Sequence, residues 1–410
     1  MIRMMVIRKT LPILFCISAI FTTISCSEES NPEFDKKTFL TIFDNNKFDA
    51  SYFPIDMRQT PDGGYIVLGG RKLEGEEESD FTGIYLMKAD QFGNFVKEMV
   101  VASSSVNPVA DFTEYQTKYH FICMDANSQQ TQIASVDANL ESISISPVQG
   151  GITYPAAASF VDNNFVVVGY NNGDKQTVIS IVNPDGGVLS SKGFSIGVGE
   201  DVEKPILQHY LRTGKQYPFE AGKATNGLYF FNGFYNYTFS LVFTDMNADD
   251  PIGIVEGQRE HGGFSALTPL NGNRFASARF NFGENYLLPG KDLQSSGITS
   301  STDLGGYNLP ELVDDANVRI VRATIDTKNV LIYGSDTRSK QIALLYYDES
   351  TGVFISSRYL GFSNPFEIAS ITQTADGGLA ICGRTYLAGR FPRICIFKIT
   401  REEVVADVNQ

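Results

Sequence analysis

A short pattern that recurs along the chain constrains its fold more than any other sequence feature. DGGYIVLG occupies residues 62–69, and DGGLAICG occupies residues 376–383. Weaker copies lie between them, and TKYHFICM at 117–124 keeps only the apolar run of the pattern. The weaker copies are at residues 162–169, 226–233, 271–278 and 327–334. Successive copies are about 50 residues apart, a period that indicates a repeat architecture.

The residues on either side of the pattern complete a unit of four strands. An apolar strand precedes each copy, as in FEIASITQT at 366–374, and another follows it, as in IYLMKAD at 84–90. A fourth strand ends the unit, as in VFISSRYL at 353–360. Asp or Asn before Gly favours tight turns between these strands, because Asx side chains bond the local backbone and Gly accepts positive φ. Seven such units predict an all-β fold, a seven-bladed β-propeller of four-stranded antiparallel blades.

The two ends of the chain are expected to meet. The last unit ends after RICIFKIT at 393–400, so it lacks a fourth strand. TFLTIFD at 38–44 is an unused strand that would close the last blade and protect its edge. We therefore predict one β-propeller domain over residues 38–402 and a C-terminal tail over 403–410.

The fifth unit fits the repeat least well. After RFASARF at 274–280, residues 281–315 contain only one clear strand, NYLLP. Two interpretations remain open at this point. The segment is either a distorted blade with a long loop or an inserted functional loop.

The N-terminus predicts export and lipidation. Arg3, Arg8 and Lys9 precede an apolar run at 10–25 that is too short to span a bilayer comfortably, which is typical of a secretion signal. TISC, which ends at Cys26, resembles the lipobox of bacterial lipoproteins, in the relaxed form found in the Bacteroidetes type. The resemblance implies a signal peptide at 1–25 and acylation of Cys26 with palmitate-like chains. The alternative is an ordinary signal peptide followed by a chance cysteine.

The residues after Cys26 add an expected location. SEES at 27–30, within a linker at 26–37, resembles the surface-export signal of Bacteroidetes lipoproteins, although it also reads as a plain solvated linker. The DGG pattern is similar to the repeats of bacterial propeller lipoproteins, and this resemblance covers nearly the whole mature chain. That resemblance concerns the fold. The lipobox-like TISC and the SEES segment together imply a protein that is anchored to the outer membrane by lipid and exposed at the cell surface.

Charge and motifs exclude several function classes. The net charge of −14 repels phosphate backbones and argues against a nucleic-acid partner. The sequence contains no metal-binding histidine pair and no nucleophile elbow, so we predict no cofactor, no metal residue and no catalytic residue. Cys382 and Cys395 lie in apolar runs, where they either pack as free thiols or face each other in a disulfide.

One long connection is the candidate ligand site. Residues 197–223 are expected to form a loop at the mouth of the propeller channel, where propellers bind. His209, Tyr210, Arg212 and Tyr217 bring donors and aromatic rings together, a mixture that suits a sugar or a peptide. The alternative is a connector whose side chains only pack onto the rim.

The leading functional expectation is a non-catalytic outer-membrane surface lipoprotein that binds a glycan or peptide ligand or a protein partner. It would be an accessory subunit of a nutrient-uptake or outer-membrane assembly complex. One alternative is a polysaccharide-active propeller enzyme, a hydrolase or lyase, which needs carboxylates or a His/Tyr/Arg set converging at the channel mouth. Another is a periplasm-facing scaffold similar to the propeller lipoprotein of the barrel-assembly machinery.

Overall fold

The chain folds almost entirely into antiparallel β-sheets. A computed structural model describes residues 38–44, 50–73, 80–387 and 391–409. Its strands, numbered β1 to β29 along the chain from β1 at Phe39–Ile42, form six sheets. The predicted all-β class is confirmed. The predicted signal peptide, Cys26 and the acidic linker lie outside the described residues.

The largest sheet divides into two units of four strands. The first unit contains β2 (Ala50–Gln59), β3 (Tyr65–Leu73), β4 (Gly83–Ala89) and β5 (Phe95–Val100). The second contains β6 (Ser105–Tyr115), β7 (Lys118–Asp125), β8 (Thr131–Asp137) and β9 (Ile143–Pro147). A single bridge between Gly83 and Val106 joins β4 to β6, so the two units are nearly separate.

Four further units follow along the chain as separate sheets. The third contains β10 (Pro155–Val161), β11 (Asn164–Asn171), β12 (Gln176–Val182) and β13 (Val188–Ser195). The fourth contains β14 (Glu220–Lys223), β15 (Tyr229–Tyr235), β16 (Thr238–Thr244) and β17 (Gly253–Glu256). The fifth contains β18 (Gly262–Pro269), β19 (Arg274–Asn281), β20 (Glu284–Asp292) and the short β22 (Tyr307–Asn308). The sixth contains β23 (Val318–Ile325), β24 (Lys328–Asp336), β25 (Ile342–Asp348) and β26 (Phe354–Leu360).

The last unit combines both ends of the described chain. Its members are β27 (Phe366–Gln373), β28 (Leu379–Leu387), β29 (Phe391–Ile399) and β1. β1 runs antiparallel to β29, with Phe39 opposite Lys398 and Ile42 opposite Cys395. The expected pairing of the segment 38–44 with the last strand is therefore present.

Neighbouring units pack on one another through their first strands and their apolar faces. β2 contacts β6, β6 contacts β10, and the series continues through β14, β18, β23 and β27 back to β2. One buried cluster joins Tyr65 and Val67 of the first unit to Cys382 and Ile396 of the last. The core is thus distributed between units, and the first strands of the units lie side by side.

The DGG motif forms the turn between the first and second strands of a unit. In the first unit, Asp62 Oδ1 accepts hydrogen bonds from the Thr60 hydroxyl at 2.6 Å and from the Gly64 N–H at 3.0 Å. Gly63 has a φ of 81°, which favours glycine. Lys88, which is only 3% exposed, donates from Nζ to Asp62 Oδ1 at 2.9 Å. The turn therefore also compensates a buried ammonium group on β4.

The second strong copy repeats this arrangement in the last unit. Asp376 Oδ1 accepts from the Thr374 hydroxyl at 2.5 Å, from the Gly378 N–H at 3.1 Å and from Lys398 Nζ at 2.9 Å. A Cβ added to Gly378 would overlap Lys398 Nζ and the carbonyl oxygen of Ile399. The second glycine of the motif is therefore required by the close approach of the lysine and the neighbouring strand.

The fifth unit is a distorted unit with a long connection, the first of the two interpretations left open by the sequence. After β20 the chain crosses to the fourth unit and adds β21 (Gly297–Ser300) parallel to β17. It then makes a 3₁₀ turn at Ser301–Leu304 and returns as β22 beside β20. The connection thereby covers an otherwise open sheet edge.

The segment expected to be a long loop contains a helix, α1, at Glu200–Leu211. Val202, Ile206 and Tyr210 are buried, so one stripe of the helix packs on the sheets. Pro205 lies inside α1, and this residue obscured the helical pattern in the sequence.

The predicted C-terminal tail also contains a helix, α2, at Arg401–Val408. A capping box between Thr400 and Glu403 begins α2, and Asp407 near its end binds the Arg358 guanidinium at 2.7 and 2.9 Å. The tail is therefore docked against β26.

No helix in the described ranges is long and apolar enough to cross a membrane.

The cysteines of the last unit are buried free thiols. Cys382 lies opposite Ile396, whereas Cys395 lies opposite Gly383. The two cysteines belong to different buried clusters, one on each face of the sheet. The disulfide considered from the sequence is therefore absent, because adjacent register positions point to opposite faces.

Candidate functional site

A cavity of about 690 Å³, lined by both polar and apolar groups, lies among the first strands of the units. Residues of β2, β6, β10, β14, β18, β23 and β27 line it, together with the segment that contains α1. A cavity of this size matches those that hold small molecules. The cavity is therefore the candidate ligand site.

Charged side chains of both signs face this cavity. Its carboxyl groups belong to Asp56, Asp111, Glu220, Asp315, Asp336 and Glu367. Its cationic groups belong to Arg58, Arg212, Lys223, Arg319 and Arg384. The near balance of charge contrasts with the acidic chain as a whole, so the cavity suits ligands that form several polar contacts.

An ion pair within β2 is hydrogen-bonded to the second unit at the cavity wall. Arg58 Nη1 donates to Asp56 Oδ1 at 2.7 Å, and Asp56 Oδ2 accepts from the Phe112 N–H of β6 at 3.0 Å. Burial acts to lower the pKa of Arg58, but the charges of Asp56 and Asp111 outweigh it and raise that pKa. Arg58 therefore stays charged in the wall of the cavity.

Arg319 lies among three carboxyl groups from different units. Burial raises the pKa of Asp111 to about 6, of Glu220 to about 8 and of Asp336 to about 7, while the positive charge of Arg319 opposes each of these shifts. Arg319 Nε donates to the Ala369 carbonyl at 2.6 Å, which fixes the side chain. The cavity thus contains carboxyl groups that hold protons close to neutral pH.

Another arginine of the cavity, Arg384, belongs to the last unit. Arg384 donates from Nε to Glu367 Oε2 at 2.7 Å and also from Nη2 to the same oxygen. Its Cζ lies 5.5 Å from the centre of the Phe53 ring, which belongs to β2. Arg384 therefore links the last unit to the first across their boundary.

Helix α1 reaches from the fourth unit to the first three. Tyr210 donates its hydroxyl to the Tyr154 carbonyl, and Asn107 Nδ2 donates to the Tyr210 carbonyl at 3.1 Å. Arg212 at the end of the helix places Cζ 4.8 Å from the centre of the Phe53 ring. The helix therefore lies over one mouth of the cavity.

The loop after α1 is attached to the fifth and sixth units. Lys215 Nζ donates to Asp315 Oδ2 and to the Glu260 carbonyl, both at 2.6 Å. The same ammonium lies 4.4 Å from the centre of the Phe280 ring. We call residues 197–219 the cap segment, because its contacts extend to five units around the mouth.

The four predicted ligand residues lie together in the cap segment and line the cavity. Tyr210 and Tyr217 are buried, and the Tyr217 ring packs 5.0 Å from the Phe234 ring, so these tyrosines anchor the segment. His209 Nδ1 accepts the Tyr217 N–H at 3.0 Å, and burial followed by the charge of Arg212 lowers its pKa to about 3. His209 is therefore neutral with its proton on Nε2. Ligand binding by the four residues stays a prediction.

The carboxyl groups around Arg319 were not identified from the sequence. Asp111, Glu220 and Asp336 come from three units, so their convergence is invisible in one dimension. Each lies within or at the end of a strand that carries other polar or charged residues, so no distinguishing signal was available in the sequence. Within the described ranges, no group of three or more His, Cys, Asp or Glu residues is arranged to hold a metal ion.

Comparisons with known proteins give limited similarity. No protein-family model matches the chain, and no curated protein matches it. A Bacteroides caccae protein of unknown function is 11% identical over 78% of this chain and 87% of its own, with a TM-score of 0.37. The β-propeller domain of the Trilobed protease from Pyrococcus furiosus is 10% identical over 86% of this chain and 98% of its own, with a TM-score of 0.44.

A third solved structure matches most of this chain, but the match covers only about half of that structure's own chain. Prolyl oligopeptidase B from Galerina marginata is 12% identical over 84% of this chain and 48% of its own, with a TM-score of 0.40. Scores at this level do not assign the chain to any of these proteins.

Proposed function

We propose that this protein is a non-catalytic, lipid-anchored binding protein of the outer-membrane surface, built as a closed seven-bladed β-propeller. The observation that carries the proposal is the cavity of about 690 Å³ beneath the cap segment, lined by first strands from every unit and by charges of both signs. Its ligand is a glycan or a peptide. The protein acts as an accessory subunit of an uptake or assembly complex.

The propeller architecture is supported by the order of contacts between units. Four-stranded units follow one another along the chain, their first strands contact one another in a series that returns to β2, and β1 supplies the outer strand of the last unit. Closure of this kind protects sheet edges and gathers loops and first strands around one axis. Such a scaffold presents a binding site without contributing chemistry of its own.

The location is supported by the sequence before the first strand. The lipobox-like TISC at 23–26 and the acidic SEES at 27–30 support a lipid on Cys26 and export to the surface. Protease treatment of whole cells tests this part of the proposal. Loss of the protein is expected, and its survival until the outer membrane is opened would favour the periplasm-facing scaffold instead.

Binding is tested with the full-length protein in mild detergent. We expect saturable binding of at least one member of a panel of glycans and short peptides, by isothermal titration, with no product formed on prolonged incubation. A pull-down of the tagged, lipidated protein from outer membranes is expected to recover a transporter or assembly component at near-equal amounts. Turnover of a glycan or peptide at ordinary enzymatic rates would overturn the non-catalytic assignment.

A polysaccharide-active enzyme is the second candidate, and one observation favours it. Asp111, Glu220 and Asp336 face the same cavity, and burial raises the pKa of each towards or above neutrality. A carboxyl group that keeps its proton near neutral pH can act as a general acid. Loss of a measured hydrolase or lyase activity on replacing Glu220 with Gln would establish this candidate.

A further inference from the structure

Two guanidinium groups share one aromatic ring where the cap segment meets the first and last units. The Cζ atoms of Arg212 and Arg384 lie 4.8 and 5.5 Å from the centre of the Phe53 ring. The face of an aromatic ring attracts a cation, but two like charges beside one ring repel each other. Burial, and then the charge of Arg384, lower the pKa of Arg212 to about 10. Arg212 is nevertheless exposed to solvent, so an anion at this position would chiefly relieve the repulsion between the two guanidinium groups.

The two arginines differ in how their charges are compensated. Arg384 donates twice to the Glu367 carboxylate. The other cations of the cavity also have acidic neighbours, as Arg58 has Asp56 and Arg319 has several carboxyl groups. Within the part of the chain that the structure describes, no carboxylate pairs with Arg212. One positive charge at the cavity mouth is therefore left for a ligand.

We propose that Arg212, supported by Arg384 and Phe53, binds the carboxylate of a small organic ligand at the capped mouth of the cavity. This inference rests on the proposed binding function and names the ligand chemistry. A guanidinium group presents two parallel donors that match the two oxygens of a carboxylate. The neighbouring His209 adds an Nε2–H donor, because its Nδ1 accepts the Tyr217 N–H.

The charge balance of the cavity favours a monoanion. Among the described residues no carboxylate pairs with Arg212, whereas six carboxyl groups line the same cavity. A carboxylate neutralises Arg212 and adds no excess charge. A phosphate dianion would place a second negative charge near the existing carboxylates, which is unfavourable. The remainder of the ligand extends into the cavity, whose volume of about 690 Å³ accommodates an acidic sugar or a short peptide with a free C-terminus.

The test compares free acids with their uncharged counterparts. The full-length protein in mild detergent is titrated with glucuronic acid, a short galacturonate oligomer and an N-acetylated dipeptide acid, each paired with its methyl ester, and with inorganic phosphate. We expect at least one acid to bind about tenfold or more tightly than its ester, with an affinity that falls as salt is added. The sugar and peptide arms identify the source of the carboxylate.

Variants locate the site. Arg212→Gln is expected to weaken binding of the acid by about tenfold or more and to leave binding of the ester unchanged. Arg212→Lys, which keeps the charge and loses the paired donors, is expected to give an intermediate loss. Arg322→Gln is the matched control, because Arg322 pairs with Glu349 outside the cavity lining. Unchanged thermal midpoints show that the variants are folded.

Three patterns of binding would overturn the inference. They are equal binding of acid and ester, binding of the acid that is insensitive to both substitutions of Arg212, and Arg212-dependent binding of phosphate in preference to every acid. Failure of all acids to bind would also overturn it. If neutral glycans or peptides still bound saturably, the proposed binding function would stand and only the carboxylate assignment would fall.

Discussion

The negative charge of Asp62 in the DGG turn compensates the buried Lys88, and it can be removed with little change of side-chain shape. In Asp62→Asn the side-chain oxygen can still accept from Thr60 and Gly64, but the carboxylate that compensates Lys88 is lost. Lys88 is 3% exposed, so its ammonium group has little access to water as a substitute partner. We therefore expect this conservative substitution to destabilise the protein.

The magnitude follows from the pKa of the Asp62 carboxyl. Burial acts to raise that pKa, but the hydrogen bonds from Thr60 and Lys88 outweigh burial and lower it to about 2. Lowering the pKa of this carboxyl from its ordinary value to about 2 corresponds to about 2.5 kcal/mol of interaction free energy. The side chain of Asp62 is 56% exposed, so solvent screens the interaction. We expect a loss of about 1 to 1.5 kcal/mol in the free energy of unfolding at pH 7.

The assay is urea unfolding at pH 7, followed by circular dichroism, for Asp62→Asn, Lys88→Met and the double variant. Asp62→Asn should cost about 1 kcal/mol less in the Lys88→Met background, because the buried charge is gone. Asp185→Asn is the matched control, since its PDGG turn takes its side-chain acceptor from Asn183 instead. That substitution should change the free energy by less than about 0.5 kcal/mol.

The pH dependence gives a second test of the same reasoning. A carboxyl group whose pKa is lowered in the folded state stabilises the fold above its unfolded pKa, near 4, and this contribution is lost as the pH falls towards 2. The difference between the wild-type protein and Asp62→Asn should therefore shrink on acidification. Equal effects of Asp62→Asn in both Lys88 backgrounds, or a difference that grows at low pH, would refute the electrostatic explanation.

Three further substitutions have defined outcomes in the same unfolding assay. Gly378→Ala should cost about 1 to 3 kcal/mol because the added methyl group would overlap the Ile399 carbonyl oxygen and Lys398 Nζ. Gly83→Ala, whose nearest contact is at 3.4 Å, should cost less. Thr400→Ala removes the capping box of α2 and should cost about 1 kcal/mol. Burial raises the pKa of Asp336 to about 7. The contribution of this group to the stability of the wild-type protein should therefore decrease as the pH rises from about 4 to about 7, and Asp336→Asn should not show this decrease.

The strand order could be predicted from the sequence because the same pattern of turn and apolar strand recurs in each unit. The copies of the pattern fall on β3, β7, β11, β15, β19, β24 and β28, in each case the second strand of a unit. The pairing of β1 with β29 followed from the missing fourth strand of the last unit. Both predictions depended on local residues and on counting, and both could be made without knowing which side chains meet across the cavity.

The chemistry of the cavity could not be predicted in the same way. Asp111, Glu220 and Arg319 lie on β6, β14 and β23, and each of these strands carries a second charged residue, so charge within the strand does not distinguish them. Only the arrangement of units brings them together. The cap segment was found as an unusually long connection, but its helix was missed because Pro205 interrupts the pattern that identifies helices.

Two connections depart from the repeat, and they cover different parts of the molecule. The connection that contains β21 lies along β17 and satisfies the backbone groups of a sheet edge. The cap segment instead precedes β14, which has only four residues, and crosses the mouth of the cavity to reach β2 and β6. It brings Arg212 to the ring of Phe53 without bringing a carboxylate to pair with it. A segment that served only to fill the mouth would require apolar packing alone. Arg212 is instead exposed to solvent beside the cavity. Among the described residues no carboxylate pairs with it, and the proposed carboxylate ligand would fill that role.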